Sequence, residues 1–156
     1  MRLRAVVGFG ANLGDRLATM RAALRALEGV ARVEETSRVY VTAPVGPPQP
    51  DYLNAAARVA FDGDAEQLLD ALLAIEASLG RVRDARFGPR TIDLDVLWVE
   101  GVAVDTSRLV VPHPRLHERA FALAPMLEVA PDARDPRTGR AYVVPAGDVR
   151  ATDDVL

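Results

Sequence analysis

The sequence predicts an α+β fold, and three observations predict it. Four segments, Leu3–Phe9, Val33–Val41, Tyr52–Phe61 and Ile92–Val99, read as strands. Two segments with apolar residues at helical spacing follow the first and third of these strands. The second and third strands follow one another with no helix between them. The order strand, helix, strand, strand, helix, strand is that of a ferredoxin-like sandwich: a mostly antiparallel four-stranded central sheet with helices packed on one face. A doubly wound parallel sheet is disfavoured, because it needs a helix in every crossover.

Each element has a local cause. Leu3–Phe9 is a buried strand that ends in the glycine-rich run Gly8–Gly14. Asp15 starts a helix whose apolar stripe is Leu17, Met20, Leu24 and Leu27, and Gly29 stops it. Val33–Val41 alternates and is rich in β-branched residues. Residues 44–50 hold four prolines and form a stiffened loop before the third strand. Asp64 and Gln67 make a capping pair for a helix over 65–79, with Leu68, Leu69, Leu72, Leu73 and Leu79 as its buried stripe. Arg81–Arg90 is an exposed loop with four arginines. After the fourth strand come a turn at Glu100-Gly101 and a short strand at Val102–Val104. One or two short helices, broken at Pro125, are expected over 115–130. Residues 131–156 form a short C-terminal extension with a turn at Asp135–Gly139, and residues 1–156 are read as one domain.

Composition narrows the chemistry. A chain of 156 residues that is 49% hydrophobic can bury a proper core. Cysteine is absent, which removes thiol catalysis and Cys-based zinc sites. All 19 Lys+Arg positions are arginine, so a P-loop lysine or a Schiff-base lysine is impossible in this sequence. A net charge of −3 speaks against nucleic acid as a partner, since such binding displaces counterions with surplus positive charge. No apolar run approaches the ~18–20 residues that span a bilayer. A cytoplasmic protein with small-molecule ligands, monomeric or weakly homodimeric, is the expectation.

The strongest local signal is Phe87–Val99. On a strand, Ile92, Leu94, Val96 and Trp98 take one face and Asp93 and Asp95 the other, their Cα atoms roughly 6–7 Å apart. Two adjacent carboxylates suit Mg²⁺ completed by water and substrate phosphates, or they line a solvated polar face. Arg81, Arg83, Arg86 and Arg90 lie just before the pair. Guanidinium groups beside carboxylate-held metal are what polyphosphate transfer needs, and their adjacency favours that reading. Gly8–Gly14 fails as a dinucleotide fingerprint, because Leu13 occupies its sixth position. Asn12 either reads a heterocycle edge or caps the turn. His113 is framed by Pro112 and Pro114, which aim its side chain, whereas His117 reads as a surface residue. Tyr52 and Phe121 stand beside polar motif residues, with core packing the default for each and stacking on a flat ligand the alternative.

Five separated motifs carry a resemblance: Gly8–Asp15 (GFGANLGD), Thr42–Asn54 (TAPVGPPQPDYLN), Glu76–Arg83 (EASLGRVR), Phe87–Leu97 (FGPRTIDLDVL) and Val111–Phe121 (VPHPRLHERAF). In order and spacing they resemble the 6-hydroxymethyl-7,8-dihydropterin pyrophosphokinases of folate biosynthesis, over residues 5 to about 130. The resemblance implies transfer of the β,γ-diphosphate of ATP to the pterin hydroxymethyl oxygen, with release of AMP. It implies that Asp93 and Asp95 ligate two Mg²⁺ ions, that Arg81 and Arg90 close over the phosphates, and that Glu76, Arg83, His113 and Arg119 hold ATP. The pterin is implied to lie between Tyr52 and Phe121. Asn54 and the backbone around Thr42, Ala43 and Val45 would read its edge, with Gly8 and Asn12 completing the floor. Asp95 is the candidate to help remove the hydroxyl proton. Ala11 stands where the family's motif usually has Ser, and Phe87 where some members have Trp. Two rivals are a ferredoxin-like binding or regulatory module without catalysis and a metal-dependent nucleotidyl-transfer enzyme, which would release pyrophosphate instead of AMP.

Overall fold

A computed structural model describes residues 2–43, 48–80 and 92–156. Strand β1 (Arg2–Ala11) leads into helix α1 (Arg16–Glu28), whose N-cap Asp15 accepts the Ala18 amide at 3.1 Å. Strands β2 (Arg32–Thr36), β3 (Arg38–Thr42) and β4 (Tyr52–Asp62) follow. Helix α2 (Ala65–Ser78) opens with the expected reciprocal cap, Asp64 taking the Gln67 amide and Gln67 taking the Asp64 amide, each at 2.8 Å. Next come β5 (Asp93–Val99), a small ribbon of β6 (Val104–Asp105) and β7 (Val110–Val111), a short 3₁₀ turn at Leu116–Glu118, α3 (Ala120–Val129) and β8 (Val149–Val155).

The main sheet is antiparallel with the order β5-β1-β4-β3-β8, and β2 also pairs with β4. The α+β class stands, but the sheet has six strands where four were expected. The expected strand Val33–Val41 is split at Ser37. Its buried hydroxyl accepts the Ala56 amide at 2.9 Å and donates to the Arg38 carbonyl at 2.7 Å, replacing one rung of the ladder and bending the strand. The other addition is β8, supplied by the C-terminal extension. It pairs with β3, and the Thr152 hydroxyl donates to the Val39 carbonyl at 2.8 Å. Polar alternation hid this strand from the sequence, because it lies at an edge and buries little.

Helices cover both faces of the sheet, not one. On the first face Ala5, Val7, Phe9, Leu94 and Val96 pack with Met20 and Leu27 of α1 and Leu68 and Leu72 of α2. On the second, Val6, Ala56 and Trp98 pack with Leu123, Met126 and Val129 of α3. Each of the Val, Leu, Met and Phe side chains among these contributes roughly 1.5–3 kcal/mol of burial. Trp98 therefore departs from the expected face. Between Val6 and Val7 the register with β5 shifts, Val6 opposing Trp98 and Val7 opposing Val96, so Leu97 is an extra residue. After that bulge the alternation restarts in opposite phase, which turns Trp98 to the α3 side and returns Val99 to the first core.

Pro125 does not break α3, which runs continuously from Ala120 to Val129. The proline removes one backbone bond, to the Phe121 carbonyl, but burial of Ala122, Leu123, Met126 and Val129 holds the helix together. The far end of α3 is tied to β3 through Glu128, which accepts the Tyr40 hydroxyl and the backbone and side chain of Arg38.

Candidate active site

Strand alternation places the site. On β1, Ala5, Val7, Phe9 and Ala11 point into the first core, so Val6, Gly8 and Gly10 take the opposite face. Gly8 faces Asp95 across the ladder to β5 and Gly10 faces Asp93; on the other side Gly10 faces Asn54 of β4. Both glycines are needed for clearance. A Cβ on Gly8 would sit 2.9 Å from Leu97 Cδ1, and one on Gly10 would sit 3.3 Å from Asn54 Oδ1. The space so left is a cavity of about 280 Å³, near the lower end of small-molecule sites.

This cavity brings together Gly8, Ala43, Tyr52, Asn54, Asp93, Asp95 and Phe121 of the residues singled out by sequence. Asn54 is buried, and its side-chain amide donates to Thr42 Oγ1 at 2.7 Å. Thr42 thus fixes the rotamer of Asn54 rather than lining the cavity itself. Phe121, at the start of α3, is 43% exposed although it is aromatic, and Arg119 Cζ stands 6.0 Å from its ring centroid. An aromatic ring left open beside a cavity is available to a ligand. Asp93 and Asp95 share the cavity's other wall, with a glycine opposite each, so both carboxylates border open space. That donor chemistry, hard carboxylate oxygens beside open space, would fit a divalent ion.

Asn12 does not line the cavity. It is fully buried and its amide donates to Gln49 Oε1 at 2.6 Å and the Pro50 carbonyl at 3.2 Å, while Arg16 donates to the Asp51 carbonyl at 2.7 Å. The two residues clamp the chain that leads into Tyr52. Glu76 is also buried, and its Oε2 accepts the Leu94 amide at 2.8 Å, bracing β5 between the two aspartates. His113 is exposed, and its Nδ1 accepts the Arg115 amide at 3.0 Å. Partial desolvation, and then the charges of Arg119 and Arg115, hold its pKa below the ordinary histidine value. Val45, Arg81, Arg83, Arg86, Phe87 and Arg90 lie outside the described residues.

Known proteins show which family the chain belongs to. The family model described as 7,8-dihydro-6-hydroxymethylpterin-pyrophosphokinase (HPPK) matches residues 6–131. The chain belongs to this family. Two relatives carry the name 2-amino-4-hydroxy-6-hydroxymethyldihydropteridine pyrophosphokinase. The one from Methylorubrum extorquens is 47% identical over 133 residues, 83% of this chain and 84% of its own. The one from Synechocystis sp. is 41% identical over 141 residues, 89% of this chain and 72% of its own. Among solved structures, a Plasmodium falciparum HPPK-DHPS chain superimposes with a TM-score of 0.71 at 13% identity, over 91% of this chain and 42% of that one. At that identity the likeness speaks for the fold.

Within this HPPK fold, sequence reasoning missed Gly10, Leu97 and Ala122 as lining residues and Gln49 and Arg16 as parts of the clamp. Gly10 was within reach, since alternation puts it on the face of Gly8. Leu97 was equally within reach, since the same alternation puts it on the face of Asp93 and Asp95. No helix among the described residues is long and apolar enough to cross a membrane.

Proposed function

We propose that this HPPK-family chain transfers the β,γ-diphosphate of ATP to the hydroxymethyl oxygen of 6-hydroxymethyl-7,8-dihydropterin. One observation carries the reading: the Asp93–Asp95 pair opens into the same cavity as Tyr52, Asn54 and Phe121. A flat apolar slot with one oriented amide suits a heterocycle, and adjacent carboxylates suit the phosphates that must meet it. The pterin oxygen attacks the β-phosphorus. The bond from that phosphorus to the oxygen it shares with the α-phosphorus breaks, its electron pair leaves with AMP, and the hydroxyl proton is given up.

The chain's own residues divide the work. Tyr52 and Phe121 hold the ring, Asn54 reads its edge from an orientation set by Thr42, and the Gly8–Gly10 floor admits it. Asp93 and Asp95 hold two Mg²⁺ ions, which when bound offset the triphosphate charge and lower the pKa of the acceptor hydroxyl. Asp95 is proposed to take the hydroxyl proton. Arg81 and Arg90 are assigned to the transferring phosphates, and Glu76, Arg83, His113 and Arg119 to ATP, on the motifs they occupy. A chain without lysine can meet phosphate in this way through the arginine fork. With water-soluble substrates, the cytoplasm is its proposed compartment and a monomer or weak homodimer its proposed state.

The test is incubation of the purified protein with ATP, Mg²⁺ and 6-hydroxymethyl-7,8-dihydropterin, scored for nucleotide products. AMP is expected. ADP would indicate transfer of a single phosphoryl group, and free pyrophosphate would indicate nucleotidyl transfer; either overturns the assignment.

A further inference from the structure

The turn at Asp135–Gly139 lies beyond the span that matches the family, yet it reaches the segment carrying His113. It is a built element. Gly139 N donates to the Asp135 carbonyl at 2.7 Å, Asp135 N to the Arg140 carbonyl at 2.8 Å, and Arg134 bridges to Ala141. Its base is fastened to the sheet, because Trp98 Nε1 donates to the Arg134 carbonyl at 2.8 Å. At its tip the Arg137 amide is held by Asp135 Oδ1 at 2.8 Å, and the guanidinium donates to the Pro112 carbonyl at 2.6 Å. That carbonyl belongs to the peptide plane leading into His113. Arg137 and His113 also line one groove.

Three hydrogen bonds thus orient His113. Two are local: the Leu116 amide to the His113 carbonyl at 2.9 Å, and the Arg115 amide to Nδ1 at 3.0 Å. The third comes from Arg137 to the Pro112 carbonyl, 25 positions earlier in the chain. Because Nδ1 is an acceptor, the neutral ring carries its hydrogen on Nε2. An Nε2–H aimed outward is a donor suited to a phosphate oxygen.

We propose that Arg137 is a positioning residue for the nucleotide site, holding the Pro112 carbonyl so that His113 presents Nε2–H to ATP. The ATP contact rests on the function proposed above, whereas the effect of Arg137 on His113 does not. The chain has two histidines, so in a His117→Gln background the His113 ring gives a single set of imidazole signals. Without nucleotide, ¹⁵N NMR is expected to show the Nε2–H form in the parent and a mixture of tautomers in Arg137→Ala. In steady-state assays Arg137→Ala is expected to raise KM for ATP about three- to tenfold, the range spanned by one hydrogen bond, with kcat and pterin affinity unchanged. Arg137→Gln, a neutral donor, is expected to recover most of the loss.

An Arg137→Ala spectrum identical to the parent overturns the proposal. So does an ATP defect that Arg137→Gln leaves fully in place, which would mean that the charge of Arg137 touches the nucleotide directly. A fall in kcat together with pterin affinity and thermal midpoint would mark a general loss of structure and also overturns it. If ATP leaves the parent His113 signals unmoved, the assignment of His113 to ATP fails, while the nucleotide-free spectra still decide whether Arg137 sets the ring.

Discussion

The two faces of the sheet are built from the same strands and do different work. On the first, β1 contributes Ala5, Val7, Phe9 and Ala11, and α1 and α2 close over them completely. On the second, β1 contributes Val6, Gly8 and Gly10, and α3 covers only the part around Val6, Ala56 and Trp98. The remainder is the cavity. A two-residue alternation therefore separates folding from chemistry within one strand. The closed face sets where the backbone runs, and the open face uses that backbone as a rigid floor.

This contrast predicts two kinds of mutant. The largest effect is expected for Asp95→Asn on the open face: turnover falls by about three orders of magnitude or more, roughly 4 kcal/mol of barrier, with an unchanged circular dichroism spectrum. Near-parent turnover at saturating Mg²⁺ would break the assignment of Asp95. On the closed face, Leu72→Ala removes a fully buried side chain and is expected to cost about 2–5 kcal/mol in denaturant unfolding, with KM values of the folded enzyme unchanged. Altered pterin KM without loss of stability would show that the two faces are not separate.

Glu128 tests the tie between α3 and the sheet. Burial pushes its carboxyl up, but the Tyr40 hydroxyl, then the Arg38 amide and guanidinium, outweigh that and hold it below the ordinary glutamate value. A carboxyl whose folded pKa is depressed adds stability that is complete above its unfolded pKa and is lost as pH falls through the folded one. Glu128→Gln is expected to lower stability by about 1–3 kcal/mol at pH 7. In urea titrations across pH, the gap from the parent should close below about pH 4.5, near the unfolded glutamate value. A gap that does not narrow at all as pH falls below that value would mean that charge contributes nothing there. The smallest effect is expected for Gly10→Ala, whose Cβ would crowd Asn54 Oδ1: pterin affinity falls about tenfold, near 1.4 kcal/mol, while ATP affinity holds. Equal loss for both ligands in calorimetry would place the disturbance elsewhere.

What the sequence made legible was whatever has a period or a cap. The alternation in β1 and in β5 as far as Val96, the Asp15 and Asp64 caps and most of both apolar helix stripes have local causes and appear where expected, although Leu73 of the expected α2 stripe is exposed and Ile75 is buried instead. The pairing of Asp93 with Asp95 on one face followed from the same alternation. What stayed hidden depends on distant partners. The Leu97 bulge is set by pairing with β1, the Ser37 break by the Ala56 backbone, and the continuity of α3 through Pro125 by burial against β4 and β3. Asn12 shows the limit most clearly. Either a ligand contact or a turn cap was readable from its position, yet its amide clamps Gln49 and Pro50, 37 and 38 residues onward.

The place of β1 in the sheet also bears on how the chain reaches its fold. Its partners are β4 and β5, whose strands begin at Tyr52 and Asp93, so β1 waits for segments synthesised well after it. Such non-local pairing slows folding and leaves an apolar, unpaired segment exposed meanwhile. Ala5–Phe9 would be a hazard for intermolecular β-association in that interval. Gly8 and Gly10 weaken its strand propensity and interrupt its apolar run. The two residues that clear the cavity in the finished protein thus also temper self-association of the nascent one.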